Sequence, residues 1–386
     1  MKRILFSILP LLILLNACEE SPLTDQVEQQ KTEETVVLNQ YLKLSEQASQ
    51  YSDLDLPDFF NFQNNTEQDN TPSNNPITDW GATLGRVLFY DVNLSANNTI
   101  SCASCHVQEL GFSDNNLLSL GFDGGQTGRN SMGLSNSRYY ENGHFFWDER
   151  ASSLEDQVLM PIQDAVEMGL SLEELETKVA SQPYYPTLFT KVYGDENVTP
   201  NRIALALSQF VRSIVSYQSK YDEGRAQVNR PDDNFPNFSN LENLGKRVFF
   251  SNQTNCSNCH TSDLFVGDEA INNGLDATLN DFGLGDVTGR NQDDGKFKTG
   301  SLRNIEITAP YMHDGRFETL EEVVEHYNSG IQNSPNLDTR LTTRNGNPVR
   351  MNLNNEEKAA LVAFMKTLTD YKLIEDEKFS NPFIEN

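Results

Sequence analysis

The sequence predicts a mainly α-helical protein made of two related halves in tandem, because three features recur in the same order. Leu84–Tyr90 (LGRVLFY) returns in the second half as Leu244–Phe250 (LGKRVFF). A Cys-x-x-Cys-His motif follows each of these runs. Gly128–Asn130 likewise returns as Gly289–Asn291, at nearly the same separation as the other pairs. Matched features at one period are typical of an internal repeat, and a chain of 386 residues is long enough for two domains.

Helix signals lie between and after the two motifs, whereas strand signals are few. Thr199-Pro200 fits the N-cap and first position of a helix, and an apolar stripe at helical spacing follows it. Thr319 and Glu322 have the spacing of a capping box, which predicts a helix through Tyr327. A final helix is predicted near residues 356–368.

The N-terminal segment, residues 1–17, has the pattern of an export signal. Lys2-Arg3 precedes a short apolar run, Ile4–Leu15, which is too short to span a bilayer. The ending Leu-Asn-Ala-Cys18 resembles a bacterial lipobox and predicts cleavage before Cys18 and lipid on its thiol. An ordinary secretory peptide and an uncleaved anchor are the alternatives. We therefore expect a lipid-anchored protein outside the bacterial cytoplasm, in the periplasm or cell envelope.

Charge restricts the possible partners. The chain has 56 acidic and 29 basic residues, a formal net charge of −27. Nucleic-acid binding is not expected, since phosphate contacts need clustered Lys and Arg. An acidic surface attracts basic partners, such as a basic electron carrier, although it also serves solubility alone. Residues 18–75 are polar and acidic and are predicted to form a tether.

The two Cys-x-x-Cys-His motifs, Cys102–His106 and Cys256–His260, have the attachment pattern of c-type haem. On a helical turn, residues three apart share a face, so Cys102 and Cys105, like Cys256 and Cys259, can each form thioethers to one porphyrin. The following His106 or His260 then points its imidazole at the iron. A zinc site would need both cysteine pairs together, and a redox dithiol gives no reason for the His. With lipid on Cys18, two covalent haems account for all five Cys residues.

From about Trp80 to Asp370 the chain resembles the bacterial di-haem cytochrome c peroxidases and their relative MauG. The resemblance is carried by Phe146–Ala151 (FWDERA), Leu154–Gln157 (LEDQ), Pro161, Glu167-Met168 and Ala309–Gly315 (APYMHDG). It implies two tandem cytochrome-c-like haem domains with a calcium ion between them. On this basis residues 76–230 form the peroxidatic domain and residues 231–386 form the electron-relay domain.

The resemblance assigns peroxide chemistry to the haem on His106, with Gln157 and Glu167 beside it. Reducing peroxide requires an open iron position, a group that moves a proton, and a second electron reservoir, because small cytochromes deliver one electron at a time. Glu167 is suited to moving the proton between the two oxygens. Gln157 is suited to orienting peroxide, and Trp147 matches the aromatic residue between the haems.

In many such peroxidases a His in the loop after the first haem binds the resting iron, and here Phe122 occupies the matching position. The chain has five His residues, and none lies between His106 and His144. We therefore expect a first haem that is open when oxidised and needs no reductive activation. His144 is the one rival ligand.

Tyr327 is the predicted second axial ligand of the haem on His260. It lies fourteen residues after His313, where peroxidases have Met and MauG has Tyr. A Tyr oxygen stabilises ferric over ferrous iron, so the potential of this haem should be low. The alternatives are that His326 or Met351 is the ligand, and that Tyr327 has a purely structural role.

By the same resemblance, Asn130, Thr308 and Pro310 match a calcium site of one side-chain amide and two backbone carbonyls, which are oxygen ligands that Ca²⁺ accepts. His313 is expected to meet a haem propionate or water.

The expected function is reduction of hydrogen peroxide with electrons from a small cytochrome c or a cupredoxin. A MauG-like oxidation of a protein side chain is the rival enzymatic function, and electron transfer or sensing without turnover is the alternative of a different class. A homodimer is possible.

Overall fold

The computed structural model describes residues 36–384. The predicted signal peptide, Cys18, and the tether as far as residue 35 lie outside the described residues. Lipidation of Cys18 therefore stays a prediction. No helix among residues 36–384 has both the length and the apolar character needed to cross a bilayer.

Helices dominate the described chain, as predicted. In the first half they are α1 (Gln63–Thr66), α2 (Asp79–Tyr90), α3 (Cys102–Cys105), α4 (Leu154–Gln157), α5 (Met160–Gln163), α6 (Leu172–Ser181), α7 (Tyr185–Tyr193) and α8 (Pro200–Ser213). They continue with α9 (Lys220–Arg225), α10 (Asn240–Phe249), α11 (Leu284–Thr288), α12 (Leu320–Glu325), α13 (Asn355–Lys366) and α14 (Tyr371–Glu375). Two short strands, β1 (Ala270–Ile271) and β2 (Phe297–Lys298), pair antiparallel with Ala270 opposite Lys298.

The predicted caps are confirmed. The Thr199 side chain accepts a hydrogen bond from the Arg202 N–H, which satisfies a donor that helix geometry leaves free at the start of α8. Thr319 and Glu322 form the reciprocal capping box of α12. The helix predicted through Tyr327 is present, but α12 ends at Glu325 and a π-helical turn, His326–Gly330, carries the chain past Tyr327.

A glycine lets the first and last long helices of each half cross closely. A Cβ atom on Gly85 of α2 would lie 2.0 Å from the Ala206 carbonyl oxygen of α8. A Cβ atom on Gly245 of α10 would lie 1.8 Å from the Ala360 carbonyl oxygen of α13. No side chain can be accommodated at such distances. The recurrence of Leu-Gly in the sequence therefore has a packing cause that is the same in both halves.

Buried apolar side chains form two main clusters. The first is built largely around α2, α7 and α8, where the Phe89 and Phe210 ring centroids are 5.1 Å apart. The second is built around α10 and α13, where the Phe249 and Phe364 centroids are 5.2 Å apart. A smaller cluster joins residues from both halves: Phe59, Phe60, Tyr139, Tyr140, Val215, Leu264 and Val266.

The tether predicted for residues 18–75 is wrong for its described part. Leu42 and Tyr51 are each 1% exposed, and both belong to the first cluster. Phe59 and Phe60 are buried in the smaller cluster. The apolar residues Leu38, Leu42 and Leu44 have only a weak helical periodicity in the sequence, and residues 36–41 are helical. The surrounding polar residues therefore hid the burial of this segment. The segment is ordered by surfaces that distant parts of the chain supply.

The C-terminal segment crosses back onto the first half. Leu373 and Phe379 belong to the first cluster, and the Tyr90 hydroxyl donates to the Phe379 carbonyl at 2.7 Å. The Gln108 side chain donates to the Leu373 carbonyl at 3.2 Å. The range 231–386, predicted as one domain, therefore includes residues that complete the core of the other half.

Candidate active site

The predicted first-site residues line one cavity of about 750 Å³. Cys102, Cys105 and His106 lie on its wall together with Gln157 and Glu167. The structure thus brings together two segments that are far apart in the sequence. No other His lines this cavity within the described part of the chain.

His106 is held with one ring nitrogen engaged. Its Nδ1 lies 3.0 Å from the Phe112 carbonyl oxygen, an arrangement that leaves Nε2 for the cavity. Burial lowers the pKa of His106, which favours the neutral imidazole that binds metals. A backbone partner on the second ring nitrogen is typical of ligand imidazoles.

A smaller cavity of about 250 Å³ has the second motif on its wall. Cys256, Cys259, His260 and Tyr327 all line it. Burial lowers the pKa of His260 to about 4, so its ring is also neutral. Its Nδ1 is buried without a hydrogen-bond partner among residues 36–384, and Phe265 provides the nearby backbone group that corresponds to Phe112.

The cysteines fit covalent haem attachment better than redox chemistry. All four are free of disulfide bonds. Burial raises the pKa of Cys102 to about 12 and that of Cys105 and Cys256 to about 11. Reactive dithiols instead lie in environments that lower the thiol pKa. Paired thiols beside a neutral imidazole, facing a cavity in each half, are the groups that a c-type haem requires.

Glu167 is fixed by its backbone in the turn after α5. Its N–H donates to Asp164 Oδ1 at 3.1 Å, and its carbonyl accepts from the Phe122 N–H at 2.9 Å. Burial and the neighbouring Asp164 carboxylate raise its pKa, whereas Arg150 opposes the shift. A carboxyl group whose pKa is raised is better suited to accept a proton and then return it.

Gln157 is the last residue of α4, whose N-cap Ser153 accepts a hydrogen bond from the Asp156 N–H. This one-turn helix places the half-buried Gln157 amide on the cavity wall with Glu167.

Phe122 packs away from the first cavity. Its ring lies over Gly169, where a Cβ atom would be 2.5 Å from Phe122 Cε1. Neither Phe122 nor His144 is among the residues that line the cavity. His144 uses its carbonyl oxygen to accept from Lys298 Nζ at 2.7 Å.

Tyr327 reaches the second cavity from the π-helical turn, a feature frequent at functional sites. Burial raises its pKa to about 12, and the Asn273 Nδ2 atom lies 3.4 Å from its hydroxyl oxygen. His326 does not line the cavity, and its Nε2 lies 3.2 Å from the Asn273 carbonyl oxygen. Met351 does line it.

Sequence reasoning missed Met312 and Asn273, which also line the second cavity. The Asn273 Nδ2 atom lies 3.5 Å from Met312 Sδ. The same Nδ2 atom also lies next to the Tyr327 hydroxyl oxygen. Met312 is part of the motif Ala309–Gly315 and could have been found there. Asn273 carries no sequence signal.

Trp147 lines both cavities. Its Nε1 donates to the Asn130 carbonyl at 2.8 Å. The loop that carries it is closed by paired backbone bonds between Phe145 and Ala151. Phe146 has φ +70° and Glu149 has φ +57°, a left-handed backbone that is costly for residues other than glycine.

Asn130, Thr308 and Pro310 all line the smaller cavity. The Asn130 Nδ2 atom donates to the carbonyls of Asn116 and Leu117 at 3.1 and 3.2 Å, so Oδ1 is the atom available to a cation. His313 stacks on Phe297 with ring centroids 3.7 Å apart.

A mainly helical fold with a haem-attachment motif in each half defines a di-haem c-type protein. The family model described as "Di-haem cytochrome c peroxidase" matches residues 80–229, and the chain belongs to the di-haem cytochrome c peroxidase family. Membership in this family implies two c-type haems.

Two curated relatives cover most of the chain. The methylamine utilization protein MauG of Methylophilus methylotrophus is 33% identical over 303 residues, which are 77% of this chain and 84% of the relative. The cytochrome c551 peroxidase of Nitrosomonas europaea is 35% identical over 311 residues, 78% of this chain and 84% of the relative.

Solved structures agree on the fold. A MauG-like protein associated with microbial copper homeostasis aligns with a TM-score of 0.70 at 33% identity, over 81% of this chain and 96% of that protein. The diheme peroxidase BthA from Burkholderia thailandensis aligns with a TM-score of 0.65 at 22% identity, over 81% and 92%. The second comparison bears on the fold alone.

Proposed function

We propose that this protein reduces hydrogen peroxide to water in the first cavity, with electrons from a small cytochrome c or a cupredoxin. The observation that carries the proposal is that Glu167 and Gln157 line the same cavity as His106. A carrier or sensor without turnover has no use for a partly buried carboxyl group with a raised pKa in the lining of its haem cavity.

A haem held by Cys102, Cys105 and His106 would supply the iron that binds peroxide and one of the two electrons. Glu167 would take a proton from one peroxide oxygen and return it to the other, which leaves as water. The Gln157 amide orients the peroxide. Trp147 lines both cavities, which supports a role for its ring in shortening the electron path between them.

In the second cavity, His260 and Tyr327 would together hold the iron of the second haem. The position of Tyr327 on the cavity wall supports this role, and the turning of His326 away from the wall weakens the rival. Met351 and Met312 also line the cavity and remain competing ligands. A tyrosine oxygen favours ferric iron, so the proposed potential is low.

Tyr327→Phe should therefore raise the potential of the second haem and change its ferric spectrum. Spectroelectrochemical titration measures both, with the exposed Tyr371→Phe as control. An unchanged spectrum in Tyr327→Phe would assign the ligand to Met351 or to another group.

In the same proposal, Asn130, Thr308 and Pro310 would hold Ca²⁺. Residues 76–230 would form the peroxidatic domain. Residues 231–386 would form the relay domain, apart from the C-terminal segment that crosses back onto the first half. The protein would function outside the cytoplasm, held to a membrane by lipid on Cys18, and a homodimer is compatible with these roles.

A MauG-like oxidation of a protein side chain is the second candidate function. Tyr327 and the absence of a loop His, with Phe122 in its place, favour it. The curated MauG relative is also as similar to the chain as the peroxidases are.

The first experiment adds hydrogen peroxide and reduced small cytochrome c to the fully oxidised protein. We expect sustained cytochrome oxidation without reductive priming, and its loss in Glu167→Gln. The exposed Glu176→Gln is the matched control and should retain full activity. If the haems respond to peroxide and the cytochrome stays reduced, the MauG-like function is supported instead. Absence of any haem response would refute both enzymatic functions.

A further inference from the structure

A buried polar cluster beside the first cavity takes no part in the proposed transfer of protons to peroxide. It consists of Tyr140, Glu149 and Lys298, which are 1%, 6% and 8% exposed. Tyr140 lines the first cavity, and Lys298 lines both cavities. Burying two ionisable side chains and a phenol together is costly unless they are mutually paired, and such clusters are enriched at functional sites.

The members of the cluster are held together by hydrogen bonds and a cation–π contact. The Tyr140 hydroxyl donates to Glu149 Oε1, and the Asn142 amide donates to Glu149 Oε2 at 3.1 Å. Lys298 Nζ lies 3.7 Å from the centroid of the Tyr140 ring and donates to the His144 carbonyl. The Tyr140 phenol therefore faces a carboxylate at one end and an ammonium group over its ring.

The cluster is attached to the Trp147 loop. Glu149 belongs to that loop and holds a left-handed backbone, with φ +57°. The Lys298 N–H donates to the Trp147 carbonyl oxygen at 2.8 Å. Glu149 and Lys298 are thus tied to the loop that carries Trp147, and Tyr140 is linked to this loop by its hydrogen bond to Glu149.

We propose that Tyr140 is a redox-active residue that donates one electron to the first site, with Glu149 as the acceptor of its proton. The inference rests on the proposed peroxidase function, which supplies the oxidant. Reduction of one hydrogen peroxide to two waters consumes two electrons and two protons. Tyr140 supplies one of these electrons, and its O–H bond breaks as the proton passes to Glu149. The neutral tyrosyl radical is then reduced by the external electron donor, and the proton returns.

The surroundings favour a proton-coupled step over simple electron loss. A positively charged ring would lie 3.7 Å from Lys298 Nζ and would be repelled whenever that amine is protonated. Burial lowers the pKa of Lys298 to about 7, so the repulsion acts below that pH. Release of the proton to Glu149 removes that charge from the ring. The existing hydrogen bond from the Tyr140 hydroxyl to Glu149 sets the path for the proton without rearrangement.

Tyr140 is distinguished from the other buried tyrosines. Tyr185 is also fully buried, and its hydroxyl donates to a carboxylate, Asp91, at 2.7 Å. Tyr185, however, does not line either cavity. Among residues 36–384, Tyr140 is the one tyrosine that both lines the first cavity and donates to a carboxylate. Tyr185 therefore provides a matched control.

The test adds one equivalent of hydrogen peroxide to the oxidised di-haem protein without an electron donor. Rapid freezing and electron paramagnetic resonance then detect organic radicals, and the Soret band is followed in parallel. Protein made with ring-deuterated tyrosine should give a narrowed signal, which assigns the radical to tyrosine. Tyr140→Phe should lose this signal, whereas Tyr185→Phe should retain it.

Glu149→Gln keeps the Tyr140 ring and removes the proton acceptor, so it should lower the radical yield even if Tyr140→Phe folds poorly. Haem content of each variant verifies folding. If the Soret band responds to peroxide, two results would overturn this inference and leave the proposed peroxidase function standing. One is a radical signal that ring deuteration does not narrow, and the other is a tyrosyl signal that persists in Tyr140→Phe. A wild-type Soret band that does not respond to peroxide overturns the proposed peroxidase function and this inference with it.

Discussion

At the scale of single residues, the chemistry of Glu167 depends on its neighbours more than on its own identity. Its backbone is tied to Asp164 and Phe122, and its side chain is half-buried on the cavity wall. Burial and the Asp164 charge raise its pKa, and Arg150 partly offsets them. The backbone N–H of Phe122, the residue predicted to replace a ligand His, thus also holds the turn that carries the proposed base.

The raised pKa of Glu167 predicts a pH dependence. The proposed mechanism needs the ionised form to take the first proton, so the rate of the peroxide reaction should fall as pH falls through this pKa. Asp164→Asn removes the like charge that raises the pKa and keeps the Oδ1 acceptor, so the midpoint should move to lower pH. Stopped-flow measurement of the Soret change against pH checks this.

The exposed Asp53→Asn is the control and should leave that midpoint in place. A midpoint that does not move in Asp164→Asn would show that another group limits the reaction.

At the scale of elements, the helix crossings depend on a glycine in each half. Gly85→Ala places a methyl group 2.0 Å from a backbone oxygen, and Gly245→Ala places one 1.8 Å from another. Rotamer changes cannot relieve a clash with backbone, so each helix pair must separate. We expect each variant to lose about 3 kcal/mol of unfolding free energy, at the upper end of overpacking costs.

Gly128→Ala is the matched control, because no heavy atom lies within 4 Å of the Cβ position there. It should change the unfolding free energy by no more than about 0.5 kcal/mol. Denaturant unfolding followed by circular dichroism measures all three variants. Equal effects in Gly85→Ala and Gly128→Ala would contradict the crossing geometry.

At the scale of the whole molecule, the two halves are joined by more than their shared cavity walls. The C-terminal segment places Phe379, which is 2% exposed, in the core of the first half. The N-terminal segment from residue 36 packs there too, with Leu42 bridging to Phe383. The stability of the first half thus depends on both ends of the described chain.

Phe379→Ala should destabilise the first half by about 3–5 kcal/mol, the usual cost of removing a buried Phe side chain. Phe282, which is 42% exposed, is the control, and Phe282→Ala should have little effect. Thermal unfolding followed at the first haem's absorption measures both. A small effect of Phe379→Ala would mean that the C-terminal segment is not needed by the first half.

The sequence by itself determined the features that depend on short spacing. One helical turn is enough to bring Cys102, Cys105 and His106 together, so the motif predicts the site. Thr199 and Thr319 predict helix starts for the same reason, since a cap involves residues only three apart. The family resemblance of the Trp147 and Glu167 segments could also be recognised from the sequence alone.

Only the tertiary structure decided which distant residues meet. Lys298 lies over Tyr140, and Phe379 lies in a core built mainly by the first half of the chain, although no local pattern links these positions. The π-helical turn that presents Tyr327 likewise departs from the regular helix that the capping box predicts. Local spacing is fixed by backbone geometry, whereas contacts across the chain are chosen by packing, and packing depends on every element at once.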